Sequence, residues 1–195
     1  MTALARVALA LTVVVAAGCV GVSVDSSAPV DQSAGGSWAT LARMPSARQE
    51  VAVAALGSQI FVIGGFGAGA DPVATVEVYD VPTDSWQPRA SYPSPVHHAA
   101  AAVVAGRLYV VGGYAGGRLG WTRSAAVHEY DPSRDAWIAR AGMPTARGAL
   151  AVAVAGGRLH ALGGDADGVT GAHEVYDPST DRWTSAATMP TARYH

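Results

Sequence analysis

Trp121 stands between Arg118 and Arg123 in a stretch otherwise rich in Gly, Ala and Ser. An indole flanked by guanidinium groups can stack on a sugar ring or on a partner chain while the charges hold its polar rim. The same indole could equally anchor its own loop. Phe66, Asp71, Tyr114, Asp165 and Asp167 lie in comparable stretches, after short apolar runs that end in Gly-Gly. Arg48, Arg147 and Arg193 recur just before other apolar runs, with Val96 at the equivalent place. These eleven residues are the binding candidates.

Stronger chemistry fails on spacing. Gly65 to Ala70 fits a G-x-G-x-x-A dinucleotide fingerprint, but Pro72 follows where the helix should begin. Asp165-Ala166-Asp167-Gly168 hints at a calcium loop without its full ligand spacing, and reads as a turn. His97 and His98 are neighbours, and on a strand they would point to opposite faces, so joint chelation is not expected. No zinc pattern and no G-x-S-x-G occurs. No catalytic residue, metal site or cofactor is expected.

The candidates are positioned by a repeat. Trp38, Trp86, Trp137 and Trp183 are 48, 51 and 46 residues apart, and six residues after them come Met44, Tyr92, Met143 and Met189, each followed by Pro. Gly-Gly begins 26 residues after each of the first three, and Asp80, Asp131 and Asp177 each precede the next Trp by six. Residues 51–56, 99–104 and 149–154 are Ala/Val runs too short for ordinary helices. Residues 60–63, 108–111 and 159–162 are continuously apolar and bounded by Gly, as strands buried on both faces should be. A third strand ends at Tyr-Asp. The links DVPTD, DPSRD and DPSTD form tight turns in which Pro fixes φ and Asp bonds the local backbone. A fourth strand carries Trp. Each unit is then an antiparallel four-strand meander that cannot bury both faces alone, so units must stack around an axis.

The Gly-Gly, Glu-x-Tyr-Asp and Trp-x5-Met-Pro landmarks resemble the kelch repeat, over residues 38–195. The resemblance implies an all-β fold, a partial kelch β-propeller. Its parts would be an outer strand of a closing blade at 38–45, three complete four-stranded antiparallel blades at 46–93, 94–144 and 145–190, and the start of a further blade at 191–195. Since propellers need about 4–8 blades, the sequence is expected to come from a longer protein or a truncated gene. Two copies pairing into six blades would each leave an outer strand without a home. Open strand edges should promote self-association. Recognition is expected at the second-to-third-strand loops and the blade crossovers, where the repeats vary. Kelch propellers serve as adaptors, glycan binders and enzymes, so fold alone does not choose. Copper-radical oxidases with kelch blades use a Cys cross-linked to Tyr, which this chain cannot supply. Kelch-type sialic acid mutarotases suggest a second, mutarotase- or epimerase-like reading with Arg147 or His160 as acid or base.

Cys19 is the single cysteine, and it follows Arg6, an apolar run at 7–17 and the small residues Ala16-Ala17-Gly18. This resembles a lipoprotein signal peptide at 1–18 with lipid on Cys19; the alternative is an ordinary secretory peptide. The Ser/Ala/Gly-rich segment 19–37 reads as a tether. The expected location is the cell envelope, held by an N-terminal lipid, or alternatively secretion. The 195 residues are 50% hydrophobic and 14% charged, with net charge −2 and no Lys. That excludes the basic footprint of a nucleic-acid binder. The expected partner is a glycan or a protein.

Overall fold

Leu108, Tyr109, Val110 and Val111 are each at most 1% exposed, because the strand that carries them is covered on both faces. Leu108 and Val110 pack toward Phe61, Ile63 and Val78, whereas Tyr109 and Val111 pack toward Leu159, Ala161 and Tyr176. The period of two in a continuously apolar run thus fills two cores, one on each side of the sheet.

The structure, a computed structural model, describes residues 36–117 and 120–195. Cys19, the expected signal peptide, nearly all of the expected tether and Arg118 lie outside the described residues. Residues 40–195 form one compact unit. Its first blade is the sheet β1 (Ala52–Leu56), β2 (Gln59–Ile63), β3 (Val76–Asp80) and β4 (Ser85–Arg89), antiparallel in that order. After β5 (Val96–His97), the second blade consists of β6 (Ala100–Val104), β7 (Arg107–Val111), β10 (Val127–Asp131) and β11 (Ala136–Arg140). The third is β12 (Ala151–Ala155), β13 (Arg158–Leu162), β14 (His173–Asp177) and β15 (Arg182–Ser185). These are the three complete four-stranded blades expected.

Their inner strands are Ala/Val-rich and lie side by side, β1 against β6 and β6 against β12. Their small side chains permit this close approach. Residues 38–45, expected to form an outer strand, form no strand. The main-chain groups of Ala42 go elsewhere: its N–H donates to Asp84 Oδ1 at 2.8 Å, and its carbonyl accepts from Trp86 Nε1 at 2.8 Å.

That contact is one instance of a repeated clamp. Asp135 accepts from Ala90 N and Asp181 from Ala141 N, while Trp137 and Trp183 donate to the carbonyls of Ala90 and Ala141. Tyr79, Tyr130 and Tyr176 each donate a hydroxyl hydrogen to the clamping Asp at 2.6–2.7 Å. Each outer hairpin therefore grips the chain four residues past the preceding Trp. The Tyr of each Tyr-Asp pair, the Asp two residues before each Trp and the Trp itself are the sequence trace of this grip.

The Gly-Gly pairs receive the next crossover. Gly65, Gly113 and Gly164 donate to the carbonyls of Val96, Arg147 and Arg193 at 2.8–3.0 Å. A Cβ on Gly64, Gly112 or Gly163 would lie only 2.4–2.6 Å from those same oxygens, and all three sit at positive φ. No other residue type fits both conditions.

Candidate functional site

The second-to-third-strand connection of the second blade is not the plain loop that its Gly content suggested. Tyr114–Gly117 (β8) and Gly120–Arg123 (β9) form a hairpin, and β5 of the crossover joins it as a third strand. Alternation of Tyr114 and Gly116 with Ala115, opposite Arg123, Trp121 and Thr122, supports it. Glycines on both paired strands concealed this pattern.

The hairpin is strapped on both sides. Toward the third blade, Arg123 makes a two-pronged pair with Asp165, Nε to Oδ2 at 3.1 Å and Nη2 to Oδ1 at 3.0 Å, and a further contact to Asp167 at 2.8 Å. Tyr114 adds its hydroxyl to Asp165 Oδ2 at 2.7 Å. Its ring reaches there by lying where a side chain on Gly148 would stand, since a Cβ would come within 2.4 Å of it. These donors, the Arg123 guanidinium first, bring the Asp165 carboxyl down to about 2. Burial, with the neighbouring Asp165, pushes the Tyr114 hydroxyl up to about 12. Asp165 is thus a fixed anion at neutral pH.

Toward the first blade, Trp121 lies 5.4 Å from the Phe66 ring and 4.5 Å from His97. His97 is 1% exposed, with Phe66 at 4.2 Å on one side and Tyr114 at 5.2 Å on the other. Burial, with His98 beside it, lowers the His97 ring to about 4, so it is neutral. Trp121 itself remains 53% exposed. The result is an indole with one part in solvent, seated on a packed aromatic base, beside a fixed Arg–Asp pair. Such a group loses little conformational freedom when a flat ligand stacks on it.

Six of the sequence candidates, Phe66, Tyr114, Trp121, Arg123, Asp165 and Asp167, therefore converge. Asp71 is exposed in the first blade's loop, where its carbonyl accepts from Gly67 N. Arg193 is exposed and docks through its backbone carbonyl. Arg48 and Arg147 are different: their side chains are 1% and 0% exposed. Arg48 donates to the carbonyls of Gly64, Thr75 and Val62 and pairs with Glu77 at 2.9 Å. Arg147 donates to the Ala161 carbonyl and pairs with Glu174 at 2.8 Å. Both tie a crossover to its blade, and neither presents its guanidinium to the binding face.

At the equivalent place in the second blade the whole set changes together. Val96 stands for Arg, His128 for Glu and Tyr92 for Met, and the Tyr92 hydroxyl meets His128 Nδ1 at 2.8 Å. One buried polar link replaces another. Glu129, on the other face of β10, instead gathers Arg107, Arg140 and Tyr109.

His97 and His98 do not diverge as adjacent strand residues would. A φ of 51° at His98 breaks the extended alternation and brings the two Nδ1 atoms within 2.7 Å. His160 is half-buried and bonded to His173, Nδ1 to Nε2 at 2.9 Å. A cleft of about 450 Å³ opens on the opposite face, among Arg107, Tyr109, Arg158 and Asp177. Its arginines are paired, Arg107 with Glu129 and Arg158 with Asp177, and its walls are the repeat's own turns. Its aromatic ring, Tyr109, is 1% exposed, so it has no solvent-facing ring comparable to Trp121.

Comparison with known proteins bears on the fold. The family model described as the KLHDC2/KLHL20/DRC7 Kelch-repeats domain matches residues 30–195. A solved structure described as "Structure of YjhT" superposes with a TM-score of 0.66 at 21% identity, covering 77% of this chain and 54% of that one. The chain thus spans about half the length of that structure. No curated protein matches.

Proposed function

From the premise that the chain belongs to the kelch-repeat family of the KLHDC2/KLHL20/DRC7 domain, we propose that it is a binding module that recognises a glycan through the hairpin face. The observation that carries this reading is Trp121: large, half in solvent, and seated on Phe66 and His97 as well as on Tyr114 of its own hairpin. Stacking on an indole favours a flat sugar face, and the adjoining Arg123, Asp165 and Asp167 give hydroxyl groups both donors and acceptors. A protein segment with an exposed ring is the competing ligand. In line with the N-terminal sequence, the module is exported and held at the cell envelope by lipid on Cys19.

The mutarotase- or epimerase-like alternative draws nothing from Arg147, which is fully buried against Glu174. His160 is engaged with His173.

Binding to a polysaccharide panel, compared between the wild type and Trp121→Ala, tests the proposal. The substitution should weaken glycan binding by about thirtyfold or more, as for a central aromatic anchor. Glycan binding that survives Trp121→Ala unchanged, or a wild type that binds only protein partners, would overturn it.

A further inference from the structure

Glu50, His98, Ala149 and His195 occupy one position of the repeat, each twelve residues after its Trp. All four have positive φ, at 54°, 51°, 52° and 67°. Outside Gly, such values are uncommon. Here they are linked: His98 N donates to the Glu50 carbonyl at 3.1 Å, Ala149 N to the His98 carbonyl at 2.9 Å, and His195 N to the Ala149 carbonyl at 3.0 Å. One main-chain thread therefore joins successive crossovers, and it gathers side chains that are 48 and 97 residues apart in sequence.

Ala149 contributes only a methyl group, and the rings of His98 and His195 meet across it with centroids 5.0 Å apart. His98 Nε2 lies 3.3 Å from Glu50 Oε2. One ligand atom from each of Glu50, His98 and His195 lies within 4.8 Å of the others. We propose that these three residues form a site for a divalent transition-metal ion of the Zn²⁺ class.

The donor chemistry fits. Two imidazoles and one carboxylate suit a borderline ion and leave at least one coordination position for another ligand. With metal–nitrogen and metal–oxygen distances of about 2.1 Å, neighbouring donors around a tetrahedral ion stand about 3.4 Å apart. The Glu50–His98 separation already matches. Glu50 and His195 are exposed, so rotation of their side chains closes the remaining gap.

His98 also has the support expected of a ligand. Its Nδ1 contacts His97 Nδ1 at 2.7 Å, and His97 is itself fixed between Phe66 and Tyr114. With a metal on Nε2, the His98 Nδ1–H donates to His97 Nδ1, and the ring stays turned toward Glu50. The site adjoins the aromatic base of the hairpin, with His98 5.7 Å from the Tyr114 ring, but it stands on its own donors and does not depend on glycan binding.

The test is titration of tag-free protein with Zn²⁺ by calorimetry, and with Co²⁺ as a spectroscopic probe. Glu50→Gln and His98→Asn are the comparison variants, with folding checked by circular dichroism. Asn tolerates the left-handed backbone at position 98. One Zn²⁺ per chain is expected, with Co²⁺ absorption bands of a nitrogen-and-oxygen site. Either variant should lower affinity at least about 100-fold, since even the loss of a supporting group costs 10–100-fold. Absence of saturable one-to-one binding, or binding that persists in both folded variants, would overturn the assignment.

Discussion

Replacing Arg147 with Val should be among the costliest single changes available to this fold. The guanidinium is fully buried, and its loss removes a donor from Glu174 Oε2 and from the Ala161 carbonyl. Glu174 is 4% exposed and, among the described residues, would keep the Thr145 hydroxyl at 2.7 Å. Breaking a buried ion pair from one side costs about 3–5 kcal/mol, mostly through the stranded charge. Against a domain stability of about 5–15 kcal/mol, that is a large share. The second blade supplies the remedy, because it fills the same place with Tyr92, Val96 and His128. Met143→Tyr, Arg147→Val and Glu174→His together should therefore recover most of the loss. The assay is urea unfolding followed by tryptophan fluorescence, comparing wild type, single and triple variants. A single variant that loses less than about 1 kcal/mol, no more than an exposed ion pair is worth, would refute the reasoning. So would a triple variant no more stable than the single one.

Two further outcomes are expected. Gly112→Ala should be far more damaging than Gly106→Ala, although both glycines have positive φ: the first puts a Cβ 2.6 Å from the Arg147 carbonyl, and the second meets nothing within 4 Å. Gly106→Ala should cost about 1–2 kcal/mol for the left-handed backbone alone, and paired thermal melts measure the difference. The strap at Asp165 should loosen in acid. Its pKa is lowered from 3.8 to about 2, so its contribution is fully present above 3.8 and is lost as pH falls through about 2. Hydrogen exchange of the Tyr114–Gly117 and Gly120–Arg123 amides should rise in that window, after correction for intrinsic rates. Exchange that stays flat between pH 4 and about 2 would separate the strap from Asp165.

The blades were legible because their rules are local. Gly-Gly, Tyr-Asp and Trp recur at fixed spacing since each makes the same contact in every unit, and the period of two in 108–111 reflects burial on both faces. The hairpin was not legible, because glycines at Gly116, Gly117 and Gly120 read as loop, while Trp121 finds His97 and Phe66 24 and 55 residues away and Arg123 finds Asp165 and Asp167 42 and 44 residues away. Arg48 and Arg147 looked like surface cations for a related reason. A charge alone does not announce a buried carboxylate, although Glu77 and Glu174 at matching repeat positions were a signal for the pairs. The left-handed turn at Glu50, His98, Ala149 and His195 leaves no mark in residue type, since none of them is Gly.

The clamp between blades has a consequence for how such chains diversify. What each Asp and Trp grips on the preceding unit is a peptide N–H and a peptide C=O, groups that every residue except Pro carries. The clamp itself is therefore indifferent to the identity of the residue it grips. A gene segment that encodes one unit brings its own grip and meets a ready receptor in any other copy, so duplication or exchange of units requires no matched substitution at the clamp, only between the apolar faces packed beside it. The connecting segments on one rim are then left free to drift apart, as 66–75, 114–126 and 165–172 have done.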